Sequence, residues 1–153
     1  MPRMGFGTSR IEEVSQIESA ISQAGYRHLD TASFYGNEEV VGEALANCIA
    51  RGDVQREDMF ITTKMWHTEY EDPEAAIRRS LQKLRLDYVD MYLIHWPNNG
   101  FSSPKVPMHV LWPRMERLKE LGLAKAIGVS NFNTQLLADM LTYCSVKPAC
   151  NQI

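Results

Sequence analysis

Short apolar runs alternate with stretches of helical periodicity along the chain, and three successive runs have polar residues at or just past their ends. Gly25 to Asp30 (GYRHLD), Met59 to Lys64 (MFITTK) and Val89 to His95 (VDMYLIH) read as β-strands in length and composition. They bring Asp30, Tyr35, Lys64 and His95 to the same end. Strands separated by helices pair in parallel, because a parallel pair needs a crossover of a dozen residues or more. Polar groups gathered at the C-terminal ends of such strands form the pattern of a parallel α/β barrel enzyme.

The periodicity predicts helices between the strands. Ser9 followed by Glu12 has capping-box spacing, and Val14, Ile17, Ala20, Ile21 and Ala24 recur at helical intervals up to Gly25. A second helix is predicted from about Asn37 to Ala50, with Val41, Leu45, Cys48 and Ile49 on one side and Gly52 past its end. Asp72 and Pro73 suit an N-cap and a first helical position, ahead of a stripe of Ala76, Ile77, Leu81 and Leu84. After a loop rich in Asn, Gly, Ser and Pro (Pro97 to Pro107), a helix around Met115, Leu118 and Leu121, with Pro113 near its start, leads into the strand Ala124 to Val129. A last helix from about Thr134 to Tyr143 precedes Ala149 to Ile153, the sixth strand if Met4 to Thr8 is the first.

An open doubly wound sheet obeys the same alternation but often carries a glycine-rich phosphate loop after its first strand. Here Gly5 and Gly7 give the first half of GxGxxG, and Arg10 takes the place of the third glycine. The better reading is a parallel (β/α)8 TIM barrel, of which this chain supplies about the first six strands. Residues 1–153 are thus expected to form one incomplete barrel domain, with 44% hydrophobic residues providing a sizeable core. A net charge of −3 with scattered Lys and Arg offers no basic face to nucleic acid and no polybasic patch to a membrane. No apolar stretch reaches the roughly 20 residues of a membrane span. MPRMGFGTSR lacks the apolar core of a signal peptide, so a cytoplasmic location is expected. Cys48, Cys144 and Cys150 are odd in number and form no CxxC, which favours small buried hydrophobes over a disulfide framework or zinc site. His28, His67 and His109 lack HExxH or paired spacing, and no metal is assigned.

The four strand-end residues suit carbonyl reduction. A free phenol, with a pKa of about 10, is a poor acid, and a neighbouring ammonium favours its ionised form. Lys64 can be that neighbour to Tyr35, Asp30 can hold Lys64 charged in a dry site, and His95 can donate a hydrogen bond to a carbonyl oxygen. Each residue alone has a structural reading: Asp30 as a turn cap before Thr31, Lys64 snorkelling from a strand end, Tyr35 as a half-buried loop aromatic, His95 as a satisfied core histidine. The agreement of three strand ends favours the joint, catalytic reading. A serine nucleophile is disfavoured, since GVSNF lacks the final glycine of GxSxG.

The segment GYRHLDTASFYGNEEVVGEAL resembles the signature of the aldo-keto reductase family, with its Asp and Tyr at Asp30 and Tyr35. ITTKMW is similar to the family's lysine strand and YLIHWP to its histidine strand, and AIGVSNFN and the closing NQI continue the pattern in order. By that resemblance Tyr35 is the proton donor, Lys64 and Asp30 tune it, and His95 orients the carbonyl. Ser130, Asn131 and Gln152 match residues that hold a nicotinamide carboxamide, which needs both donors and acceptors; Thr8 and Asp30 complete this cofactor-binding set. At these positions a structural reading stays open, with Ser130 and Asn131 capping the following helix and Gln152 an ordinary strand polar group. Trp66 and Trp96 match aromatic positions near the substrate pocket, with core packing the other reading for Trp66. After GFGT many members carry tryptophan where this chain has Ser9, which changes one wall of that pocket.

The resemblance implies NADP as cofactor, a small-molecule carbonyl substrate, and NADPH-dependent reduction of an aldehyde or ketone to an alcohol by the complete protein. A whole barrel takes roughly 250 residues, and the absent part would hold the last two strands and the loop that grips the adenosine phosphate. Six strands alone expose two edges and an unfinished interior, so the 153-residue polypeptide by itself is expected to be poorly stable and inactive. Two alternatives accompany the enzyme: a truncated, non-catalytic component whose edges protein partners cover, and a channel-associated regulatory subunit. The SNFN and HWP motifs resemble the soluble enzymes more closely.

Overall fold

The computed structural model describes residues 1–97 and 105–153. Six parallel strands, β1 (Phe6–Gly7), β2 (His28–Asp30), β3 (Phe60–Met65), β4 (Val89–Ile94), β5 (Ala124–Ser130) and β6 (Asn151–Gln152), lie in sequence order in one sheet. The helices α1 (Val14–Ser22), α2 (Glu38–Arg51), α3 (Pro73–Leu84), α4 (Met108–Glu120) and α5 (Thr134–Tyr143) alternate with them.

Side chains alternate between the two faces of each strand. Leu29, Ile61, Met65, Tyr92, Ile94, Ile127 and Val129 join the buried apolar cluster made with the helices. The opposite face carries the polar His28, Asp30, Thr62 and Lys64 on β2 and β3 and the apolar Met91 and Leu93 on β4. His28 Nε2 lies 2.9 Å from Thr62 Oγ1, and Lys64 reaches Asp30. Gln152 Nε2 donates to Asp30 Oδ2 at 2.9 Å. β2 and β6 are four strands apart in the sheet order, about 19 Å if the sheet were flat. Their contact therefore requires a sheet that curls with these side chains inside, as an open segment of a parallel α/β barrel whose edges are β1 and β6.

The helices mostly start and stop where local chemistry dictates. Asp72 caps α3 by accepting from Ala75 N at 2.9 Å, with Pro73 in the first turn, and Asn133 caps α5 by accepting from Leu136 N at 2.9 Å. Two expectations need correction. α1 begins at Val14, and Glu13 is its N-cap without a side-chain bond. Ser9 and Glu12 precede the helix, in a turn where Ile11 N donates to Thr8 O at 3.0 Å and Arg10 has a φ of 64°. Asn37, from the start of α2, donates to the carbonyls of Thr8 (2.6 Å) and Ile11 (2.9 Å), so a distant amide rather than a capping box organises this turn. Pro113 lies inside α4 rather than near its start. Proline there removes an intrahelical hydrogen bond, but burial of Leu111 and Trp112 and a 2.9 Å bond from Trp112 Nε1 to Val146 O support the turns around it. Of the loop expected from Pro97 to Pro107, residues 98–104 lie outside the described residues.

α2 and α3 cross closely at Gly42. A Cβ there would come within 2.7 Å of the Leu84 Cα and also strike the Lys83 carbonyl, both backbone. Gly42→Ala should cost about 1–3 kcal/mol, measurable as a lowered urea midpoint; an unchanged midpoint would show that the helices can separate freely. Beneath this crossing, the buried Glu38 accepts from Thr63 Oγ1 at 2.7 Å, tying α2 to β3, while burial raises its carboxyl pKa above the ordinary value.

Candidate active site

Lys64, near the end of β3, is only 1% exposed. A buried ammonium must have its hydrogens satisfied. Lys64 Nζ donates to Asp30 Oδ1, to Thr31 O at 3.0 Å and to Tyr35 OH at 3.3 Å, using its three hydrogens. It does not snorkel to solvent. Asp30 does not cap the following turn: one carboxylate oxygen meets Lys64 and the other Gln152, while its carbonyl accepts from Thr8 N (2.9 Å) and Thr8 Oγ1 (3.1 Å).

Tyr35 closes a 3-10 turn, Ser33–Tyr35, directly after β2. Gly36 follows at a φ of 70°, a backbone conformation that glycine adopts without a steric penalty. The turn swings the phenol back over the strand end. His95 follows β4, its N–H donating to Met65 O at 3.1 Å, and its ring meets Tyr35 edge-on with centroids 5.7 Å apart. Burial lowers the imidazole pKa to about 4; the Lys64 charge adds to this and Asp30 opposes it. His95 is therefore neutral at neutral pH, with one ring nitrogen a donor and the other an acceptor. Its Nδ1 is buried without a hydrogen-bond partner among the described residues.

The depressed value links His95 to stability. The unfolded histidine, with a pKa of about 6.5, binds a proton that the native one refuses, so its contribution is present above that value and is lost as pH falls through the window toward about 4. In an NMR titration the His95 ring should remain neutral down to about pH 5. Titration at the ordinary histidine value would contradict this burial argument.

Ser130, Asn131 and Gln152 meet at the ends of β5 and β6. Ser130 Oγ donates to Gln152 O at 2.7 Å, and Asn131 Nδ2 donates to His95 O at 2.9 Å and to Ser130 Oγ at 3.1 Å. Asn133 holds the capping position of α5, so neither Ser130 nor Asn131 caps it. Asn131 instead takes a φ of 62° and pairs its N–H with Gln152 O at 2.9 Å. Two amides and a hydroxyl thus adjoin both Asp30 and His95, a donor and acceptor set whose chemistry suits a carboxamide. Thr8 is fully buried with its hydroxyl on the Asp30 carbonyl, and so supports Asp30 from behind.

The two tryptophans differ. Trp66 is half-buried, stacked on Phe34 at 3.9 Å between centroids and edge-on to His95 at 5.2 Å. Trp96 is 46% exposed, and its backbone carbonyl accepts from Tyr70 OH. Three participants escaped the sequence reading. Thr31 contributes a carbonyl, and no side-chain pattern marks that. Phe34 had a signal in its position beside Tyr35. Glu69, which binds Ser33 and Trp66, draws its partners from two loops and leaves no periodic trace. Among the described residues, no group of three His, Cys, Asp or Glu is placed to hold a metal ion, and no helix is long and apolar enough to cross a membrane.

The family model described as "Aldo/keto reductase family" matches residues 3–153. An aldose reductase of Encephalitozoon cuniculi is 42% identical over an alignment covering 100% of this chain and 56% of that protein. The aldose reductase structure from Schistosoma japonicum superposes with a TM-score of 0.91 at 38% identity, covering 100% of this chain and 57% of that one. A Bombyx mori aldo-keto reductase, solved in complex with NADP, gives a TM-score of 0.90 at 37% identity and 54% coverage of its chain. The chain spans about half the length of the curated relatives it matches.

Proposed function

The chain belongs to the aldo/keto reductase family, and from that premise we propose that the complete protein reduces an aldehyde or ketone to an alcohol with NADPH. The observation that carries this reading is the buried Lys64 ammonium, hydrogen-bonded at once to Asp30 and, at 3.3 Å, to the Tyr35 hydroxyl, beside a neutral His95. When bound, NADPH supplies the hydride. Ser130, Asn131 and Gln152 would hold its carboxamide, with Asp30 at the same edge kept in place by Thr8.

The chain's own residues supply the proton and the orientation. The carbonyl oxygen gains negative charge as its carbon is reduced, and it takes the proton of Tyr35. Lys64 stabilises the phenolate left behind, and Asp30 balances the Lys64 charge where water is scarce. The neutral imidazole of His95 donates its N–H to the carbonyl oxygen and orients it without bringing a charge. Trp66 and Trp96 form apolar walls for the rest of the substrate.

The test is carbonyl-dependent loss of NADPH absorbance with the purified complete protein and a panel of aromatic and aliphatic aldehydes and ketones. Steady turnover is expected. Its absence across the panel would overturn the proposal. We further propose that catalysis needs the closed barrel, since β1 and β6 are both open edges here, so residues 1–153 alone should give no turnover. Activity from that polypeptide alone would sink this second claim and leave the first standing.

A further inference from the structure

We propose that Glu69 is a positioning residue for carbonyl reduction: its carboxylate fastens the loop that carries Tyr35 to the loop that carries Trp66, and thereby sets the aromatic wall beside His95. The inference rests on the function proposed above. Glu69 ends the 3-10 turn His67–Glu69 that follows β3. Its Oε2 accepts from Ser33 Oγ at 2.7 Å and from Trp66 N at 3.0 Å, while Oε1 accepts from Arg79 Nη2 of α3 at 3.0 Å. Ser33 Oγ in turn accepts from Trp66 N at 3.3 Å. One carboxylate therefore joins the loops after β2 and β3 and anchors both to a helix, through charge-assisted hydrogen bonds, which are the stronger kind.

What it holds is the site's wall. Ser33 opens the turn that ends at Tyr35, and Phe34 between them stacks on Trp66 with the rings 18° from parallel. Trp66 and Tyr35 both meet the His95 ring edge-on, at 5.2 and 5.7 Å. Beside this wall lies an open cleft of about 330 Å³, lined by Ser33, Phe34, Glu38, Trp66, Glu69 and Ser80 among others. The cleft opens to solvent and Phe34 is 59% exposed, so Phe34 and Trp66 have room to shift. The Glu69 bonds oppose that shift. Among the described residues, the hydrogen bonds of the Glu69 carboxylate go to Ser33, Trp66 N and Arg79 and none to Tyr35, Lys64 or His95, so it acts through Trp66.

The experiment compares wild type, Glu69→Ala, Ser33→Ala, Trp66→Ala and Glu69→Ala with Trp66→Ala in the complete protein, using benzaldehyde and NADPH. Fluorotryptophan labelling allows the Trp66 resonance to be followed by fluorine NMR. Glu69→Ala and Ser33→Ala should shift or broaden that resonance. They should also raise the KM for benzaldehyde about tenfold through the misplaced wall, with the Kd for NADPH unchanged. In the Trp66→Ala background, adding Glu69→Ala should change KM no further, a split that mere loss of stability would not produce. An unmoved Trp66 resonance, an unchanged KM, or an equal KM effect with and without Trp66 would each overturn the proposal. Should Glu69→Ala fail to fold, Ser33→Ala decides by the same readings. A wild type that reduces no carbonyl compound sinks the proposed function itself, whereas an active wild type matched by Glu69→Ala sinks only the part given to Glu69.

Discussion

Tyr35→Phe should lower carbonyl reduction between about a hundredfold and ten-thousandfold, the range that a positioned general acid contributes, while NADPH binding stays largely intact. The substitution removes one hydroxyl, whose hydrogen bond in the structure is the 3.3 Å bond from Lys64. The ring that packs edge-on against His95 remains, so the fold around it should survive. Steady-state kinetics together with a fluorescence titration of NADPH separate the two effects. Undiminished turnover would remove Tyr35 from the role of proton donor.

Lys64→Met should have an effect of similar size on turnover and a much larger one on the fold. It leaves the Asp30 carboxylate with Gln152 as its remaining side-chain partner and without its cation. Breaking a buried pair by removing one member costs about 3–5 kcal/mol, because the other charge is left uncompensated. The Asp30 side chain keeps 15% exposure, which favours the lower end of that range. Adding Asp30→Asn should restore much of the urea midpoint, since no orphaned charge remains, yet restore no activity. A Lys64→Met protein as stable and as active as wild type would show that the ammonium is dispensable in both respects.

Much of this arrangement is legible in the amino-acid sequence, for physical reasons that differ from residue to residue. Asp30, Lys64 and His95 stand out because apolar strands end in polar side chains, a mismatch that periodicity exposes. Asp72 with Pro73, and Gly52 after α2, mark helix ends through local chemistry alone. Where the reading failed, a distant group had outcompeted a local one. The Ser9 and Glu12 spacing suggested a cap, but Asn37 takes the carbonyls of Thr8 and Ile11 and holds that stretch as a turn. Pro113 suggested a helix start, but burial of Trp112 and Leu111 carries α4 through it. The curl of the sheet was implied by the barrel reading, but the contact that displays it, Gln152 on Asp30, joins residues 122 positions apart. Glu69 was invisible for the same reason, since its bonds depend on how two loops meet.

The most direct measurement follows the hydrogen itself. The complete protein is incubated with an aldehyde and NADPH carrying deuterium at its transferable position, and the product alcohol is analysed by mass spectrometry and proton NMR. The account predicts a single deuterium on the former carbonyl carbon, the hydroxyl proton coming from Tyr35 and exchanging with solvent. NADPH oxidised without deuterium at that carbon, or no alcohol at all, would contradict it.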